Sequence, residues 1–473
     1  MNPRTAKLLE GPILRSLLSL AVPIVGANLL QSAYQLTDAF WVGRLGGAAV
    51  AAVSVSFPVI FLMIALGGGL AVAGSTLIAQ YAGAGNQRMV NHVAAQTLLM
   101  VVIASLLLGA AAFLLAPSIL RLLGVAAEVH DAALGFMRVS FVGLVFLFGF
   151  IMFQAIMRGI GEVRVPVFIV LGTVLLNFVL DPLFIFGWGP IAGQGVMGAA
   201  LATLATQGLA AAAGLFLLFR GRHGIQLRPG SFRPDPAYIA RAFRLGFPAS
   251  VEQSARALGL MVMTFLITSF GTLTLAAYGV GSNVLRFVII PALGLSMAIS
   301  TLVGQNIGAG NRPRAAAIAR LGALLAFGAL SLVGLLAFLF APQLVAFFVP
   351  DDPAVIEHGA EFLRIVAPTF GFIGLQFALT GVFRAAGNML ATMVIALVAQ
   401  WVLQFPLAYI LSKHTTLGAE GLWWAFPVAN VTVALISVAW YRRGDWQRVR
   451  LTEEDRLAGT VSDETLIGEG VQR

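Results

Sequence analysis

A row of long apolar runs constrains this chain more than any other feature. They occupy 13–42, 48–81, 89–116, 132–157, 164–187 and 196–219, and after a basic stretch they resume at 239–270, 276–307, 315–341, 358–384, 389–412 and 419–441. A helix needs about 20 apolar residues to cross the hydrocarbon core of a bilayer, and every run reaches that length. Inside hydrocarbon the backbone must satisfy its own hydrogen bonds, so only helices and closed barrels span it. The runs are far too long for barrel strands of about 10 residues. Composition agrees: 59% of residues are hydrophobic, 10% are charged, and the mean hydropathy is +0.92. The expectation is an all-α polytopic membrane protein of about twelve transmembrane helices with the lipid bilayer as its first partner. The N-terminal run is longer than a signal-peptide core and lacks a small-residue cleavage site at its end, so it is read as the first membrane helix.

Charge sets the orientation. One side carries Arg4, Lys7, Arg15, Arg88, Arg158, Arg164, the loop 220–244, Arg312, Arg314, Arg320, Arg384, Arg442 and Arg443. The opposite side has Arg44, Arg121 and Lys413, and an acidic loop at 349–359. The positive-inside bias places both termini in the cytoplasm of a multi-pass protein of the plasma membrane, the bacterial inner membrane. The net charge of +9 then belongs to loops facing anionic lipid, and no nucleic-acid partner is expected. The chain is expected to work as a monomer. There is no cysteine, hence no disulfide framework and no thiolate metal site.

The runs fall into two copies. "LAVPIVGANLL" (20–30) aligns with "LGFPASVEQSA" (245–255), and "STLIAQYAGAGNQ" (75–87) with "STLVGQNIGAGNR" (300–312). The offset is 225 residues both at Pro23 and Pro248 and at Gly83 and Gly308. A further echo pairs "MRGIGEVRVP" (157–166) with "FRAAGNMLAT" (383–392). Each half therefore holds six spans, and an even number makes the halves parallel repeats about an axis along the membrane normal. Repeats of that kind flank a cleft whose access alternates, which points to a secondary transporter. The expected organisation is a six-helix lobe at 1–219, a basic cytoplasmic linker at 220–238, a six-helix lobe at 239–442, and a cytoplasmic tail at 443–473 whose mixed charge reads as disordered.

The duplicated Q-x-x-GAGN motif, the early prolines Pro23 and Pro248, and "NFVLDPLFIFG" (177–187) resemble the multidrug and toxic compound extrusion (MATE) family, most of all its DinF-like branch. The pattern runs to about residue 442 of the chain. The resemblance implies a V-shaped protein of two six-helix lobes. It implies export of organic, often cationic, compounds against an inward flow of H+ or Na+, with no other cofactor.

Within the spans only Asp38, Asp181 and Glu252 are acidic and deep. Asp38, in "QSAYQLTDAFWVGRLGG" (31–47), and Asp181 both lie late in outward-running spans. Asn177 shares a helix face with Asp181 at i−4. Thr203 lies about two turns into the sixth span, at a similar depth. The copy acts as a control: Met263 stands where the repeat places Asp38, and Phe405 where it places Asp181. A packing need common to both lobes does not predict that asymmetry, whereas a cation-coupling site in one lobe does. Each carboxylate costs roughly 2.5–3.5 kcal/mol at the bilayer centre. A close pair relieves its mutual repulsion by sharing a proton. With the oxygens of Asn177 and Thr203 the pair can equally hold sodium, so the ion stays open.

The resemblance makes Gln31, Tyr34 and Gln154 candidates for the substrate cavity and Pro23 the site of a helix bend. Glu252 has two readings, a local ion pair with Arg256 at i+4 or a second-lobe cation ligand. The resemblance expects a further acid near 370–388 for the latter, and none is present there. Arg286 reads as a buried charge with no evident partner.

No G-x-x-x-x-G-K-[ST] loop is present, which disfavours an ATP-driven pump. The five histidines show no paired metal spacing, so an enzyme is not expected. The closest rival is a lipid-linked precursor flippase of the same superfamily.

Overall fold

The computed structural model describes residues 3–221, 223–447 and 451–452. The tail expected at 443–473 therefore lies mostly outside the described residues. A short amphipathic helix, α1 (Pro3–Glu10), precedes six long ones: α2 (Ile13–Gly43), α3 (Gly47–Gly83), α4 (Gln87–Leu122), α5 (Ala127–Gly159), α6 (Arg164–Phe186) and α7 (Gly195–Arg220). Between α6 and α7 the chain makes one two-stranded hairpin, β1 (Gly187–Trp188) and β2 (Ile191–Ala192).

The second half runs α8 (Pro236–Thr268), α9 (Thr272–Gly308), α10 (Arg312–Leu339), a short α11 (Ala341–Phe348), then α12 (Pro353–Val366) and α13 (Phe370–Ala385) in one span. The span α14 (Met389–Leu397) to α15 (Phe405–Lys413) and the last helix, α16 (Ala419–Arg442), complete it. Eleven helical segments among the described residues are long and apolar enough to cross a membrane. The twelfth expected span, α8, has 33 residues, and Glu252, Gln253 and Arg256 make its middle more polar.

Local chemistry explains the helix ends. In both GAGN turns the glycine takes the left-handed conformation, with φ of +72° at Gly85 and +77° at Gly310. The asparagine that follows caps the next helix: Asn86 accepts from the Met89 amide and Asn311 from the Arg314 amide. Proline acts differently in matched places. Pro182 lies within the regular helix α6. The corresponding Pro406 follows a π-helical stretch, Val398–Gln404, which absorbs the clash of its ring with the preceding turn.

Four apolar cores among the described residues show how the halves meet. Two are private to one half: one gathers Val42, Ala49, Leu120, Phe141 and Ile185, the other Met263, Val284, Phe362 and Trp423. Two are shared. Tyr238 and Ala242 of α8 pack into the first-half core around Leu77 and Phe153, while Leu17, Leu20 and Ile24 of α2 pack into the second-half core around Ile299 and Phe383. The shared cores lie towards the end that carries the chain termini, and the private cores lie at the other end. The two lobes are thus joined at the terminal end and cored separately at the opposite end. α2 and α8 each start in the other lobe's core and finish in their own, and Pro23 and Pro248 fall near the crossover.

The basic linker is docked. Ile225 and Leu227 are buried in the first-half core, and the Gln96 amide donates to the carbonyls of Ser231 and Arg233 at 2.9 and 2.6 Å. Asp235 caps α8 by accepting from the amides of Ala237 and Tyr238, and it meets His92 at 3.0 Å. The Tyr238 amide is the main cause holding the Asp235 carboxyl below its ordinary pKa.

Candidate cation-coupling site

Asp38 lies five residues before the end of α2, Asp181 five before the end of α6, and Thr203 eight after the start of α7. At 1.5 Å per residue all three sit within roughly 12 Å of their helix ends, in the half away from the termini. The structure brings them together around Asn177. Its Nδ2 donates to Asp38 Oδ1 at 2.6 Å and to Asp181 Oδ2 at 2.9 Å. Thr203 Oγ1 donates to Asp38 Oδ2 at 3.4 Å. The two carboxyl groups thus meet at the same amide nitrogen. Asp181 and Asn177 are fully buried, and Asp38 is half-buried.

One amide thus spends both N–H bonds on two acids. Asp181 Oδ1 is left buried without a hydrogen-bond partner. A buried acceptor in that state costs free energy until a donor or cation reaches it. The arrangement can accept one more positive charge between the two acids, either a proton or a small hard cation. No ion is defined by the side chains themselves.

Thr206, which the sequence reading missed, closes the network behind Asn177. Its hydroxyl lies 2.5 Å from Tyr34 Oη and 3.5 Å from Asn177 Oδ1. Its position at i+3 from Thr203, on the same face of α7, was the available signal. Trp41 was missed as well. Its ring packs against Phe178 and Phe186, one turn beyond Asp38, and Arg44 lies over it at 5.2 Å.

Other expected residues fall differently. Tyr34 was expected to line the substrate cavity. It is instead buried and bonded into the acid network, because the Thr206 hydroxyl satisfies its own. Gln31 and Gln154 are half-buried. Pro23 lies inside an unbroken α2. The Met263 side chain is fully buried in the apolar core of the second lobe, and Phe405 packs against that core.

Glu252 is fully buried between two guanidiniums, Arg256 at 3.2 Å and Arg384 at 2.8 Å. The local pair is present, and Arg384 from the end of α13 adds a partner that no sequence spacing shows. Both guanidiniums meet the same oxygen, Oε1, so Glu252 is held in a buried ion-pair cluster in this geometry. Arg286 is exposed on α9, not buried as expected, because its position faces away from the lobe core that Leu285 and Val288 enter.

The MatE family model matches this chain twice, over residues 23–183 and 248–410, so it begins at the two repeat prolines. The chain belongs to the MatE family. It is 30% identical to the probable multidrug resistance protein YpnP of Bacillus subtilis, over 94% of this chain and 98% of that one. It is 27% identical to the probable multidrug resistance protein NorM of Thermotoga maritima, over 94% and 96%. Its fold superposes with a TM-score of 0.84 on the outward-facing conformation of a multidrug resistance MATE family transporter, at 26% identity over 92% of this chain and 97% of that one. MatE proteins are transporters, and this chain is a multi-pass membrane transporter and not an enzyme.

Proposed function

We propose that this MatE protein is a secondary active multidrug exporter, an antiporter that drives organic compounds out of the cell against inward flow of H+ or Na+. The observation that carries this reading is the Asp38–Asn177–Asp181 bridge, present in one lobe and replaced in the other by Met263, buried in the apolar core, and Phe405, packed against it. A charged pair held by one amide, with one oxygen unsatisfied, has two states that differ by one bound cation. That difference is what coupling to an ion gradient requires.

In the cation-bound state the pair carries one negative charge instead of two, and it sits at lower cost among apolar helices. When the ion leaves inward, the two bare carboxylates repel each other and reward a rearrangement of α2 against α6 and α7. The names of the relatives support organic substrates. The lobes joined at the terminal end, with that end in the cytoplasm, correspond to an outward-facing resting state.

The test is efflux from proteoliposomes with an imposed proton or sodium gradient and cationic dyes as substrates. Gradient-dependent efflux with wild-type protein, lost in Asp38→Asn, supports the reading. Normal efflux by Asp38→Asn would falsify it. Translocation of a lipid-linked precursor without dye efflux would assign the chain to the flippase reading instead.

A further inference from the structure

The seam that joins the lobes at the terminal end is built twice from the duplicated motif. Gln80 and Gln305 are fully buried and 225 residues apart. Gln80 Nε2 donates to the Ala385 carbonyl at the end of α13, 2.7 Å away. Gln305 Nε2 donates to the Gly159 carbonyl at the end of α5, 2.9 Å away. The motif glycines let the backbones touch: a Cβ on Gly83 would lie 1.9 Å from the Gln305 carbonyl oxygen, and one on Gly308 would lie 1.9 Å from that of Gln80. Such reciprocal contacts are what a two-fold axis produces.

The symmetry breaks at the other amide atom. Gln305 Oε1 is buried without a hydrogen-bond partner among the described residues. Gln80 Oε1 accepts the backbone N–H of Leu451 at 3.0 Å. Leu451 belongs to the segment beyond α16, after Trp446, which is itself buried and stacked on Tyr441. The Leu451 carbonyl accepts from the Arg241 guanidinium of α8, and its side chain lies on Gly387, where a Cβ would meet it at 2.8 Å. Thr452 beside it is buried. A single residue in the segment beyond α16, Leu451, thus contacts α3 of the first lobe together with α8 and the α13–α14 turn of the second.

The N-terminus does the same on the other side of the axis. Leu8 of α1 lies on Gly161, where a Cβ would meet it at 2.4 Å, and its carbonyl accepts from Arg314 at 3.4 Å. Gly161 and Gly387 are the matched left-handed glycines of the repeat, with φ of +81° and +79°. A leucine from each chain end therefore sits on the same glycine of each copy. Neither leucine is part of the repeat.

We propose that Leu8 of α1 and the Leu451–Thr452 segment are latches on this seam, and that the Leu451–Thr452 segment must leave Gln80 and Gly387 before the lobes can part at the terminal end. The inference rests on the alternating-access reading given above. It assigns the C-terminal segment the task of holding the outward-facing state, with its release a step of inward opening.

The absence of native cysteine allows a direct test in the full chain. Dyes on Arg88→Cys and Arg312→Cys, both exposed at the starts of α4 and α10, report the width of the seam. Leu451→Pro removes the N–H that Gln80 accepts, whereas Leu451→Met keeps it together with the apolar contact. Leu451→Pro is expected to raise the wide-seam population about five-fold, the shift expected for losing one hydrogen bond and its packing. Leu451→Met should match wild type, which separates latch loss from misfolding. In a separate variant, Thr452→Cys should be protected from a thiol reagent at rest and become reactive during gradient-driven turnover. Unchanged seam width in Leu451→Pro, or a Thr452→Cys that stays protected through turnover, overturns the latch and leaves the coupling site standing. Normal efflux by Asp38→Asn overturns the coupling site while the seam distances still decide the latch.

Discussion

At the residue scale one amide organises the candidate site. Asn177 holds Asp38 and Asp181 together with its two N–H bonds, and Thr206 and Tyr34 fix its other side. Asp38→Asn replaces a switchable group by a permanently neutral one of nearly the same volume. It is expected to fold and express as wild type while losing gradient-driven efflux by more than about ten-fold. Asp181→Asn should do the same, and the double variant should be no worse than either single one, because groups that act as a unit are not additive. Efflux rates and expression measured side by side check both points. If the single variants lose folding in step with transport, the acids are structural.

Most of that candidate site was legible in the sequence. Asp38, Asp181, Asn177 and Thr203 were found from depth, from helical spacing and from the missing acids of the second copy. Thr206 carried only a spacing signal. The roles of Tyr34 and Arg384 depended on partners 172 and 132 residues away.

At the element scale the crossing helices matter most. α8 begins in the first lobe and ends in the second, so its first turn is an anchor between the linker and the shared core. Asp235 caps that turn. Asp235→Ala is expected to cost about 1 kcal/mol of local helix stability. Hydrogen exchange at the Ala237 and Tyr238 amides should then quicken about five-fold, the factor that 1 kcal/mol represents. The Asp235 pKa is lowered, first by the Tyr238 amide and also by His92. The charged cap is therefore fully present above the ordinary aspartate value of about 4 and is lost as pH falls through the lower folded value. In the wild-type protein, protection at those two amides, corrected for intrinsic exchange, should hold from pH 7 to pH 5 and fall only below about pH 4. A loss already at pH 6 would mean that His92, not Asp235, governs the cap.

At the scale of the whole molecule, the lobes can move only if the seam between them opens, and glycine sets how closely they sit. Gly83→Ala and Gly308→Ala each push a methyl group into a backbone carbonyl of the other lobe. Backbone cannot move aside as a side chain can, so both variants should widen the seam, and by similar amounts because the contacts are reciprocal. The Arg88–Arg312 distance measures this, and a wild-type distance in either variant would show that the helices can shift without parting. Orientation is tested separately. Arg228 is exposed in the linker. Arg228→Cys should resist an impermeant thiol reagent in intact cells and react once the cells are permeabilised. Ready labelling in intact cells would invert the topology and the direction of transport with it.

The sequence by itself determined that the chain is built of long membrane-spanning helices, their arrangement as two parallel copies, and the placing of two acids in one copy only. These follow from local quantities: the apolar length needed to cross hydrocarbon, the offset between like segments, and the cost of a charge in lipid. The GAGN turns were legible for the same reason, since a left-handed glycine followed by a capping asparagine is a local instruction. Tertiary structure alone decided that α2 and α8 swap cores, that Arg384 reaches Glu252, that Arg286 stays outside, and that Leu8 and Leu451 pack on Gly161 and Gly387. In water a helix shows which face is buried by a stripe of apolar residues. In lipid the outward face is apolar too, so the pattern leaves rotation and crossing undetermined. Small residues and a few polar groups settle both, through contacts such as Gln80 with Leu451, 371 residues apart.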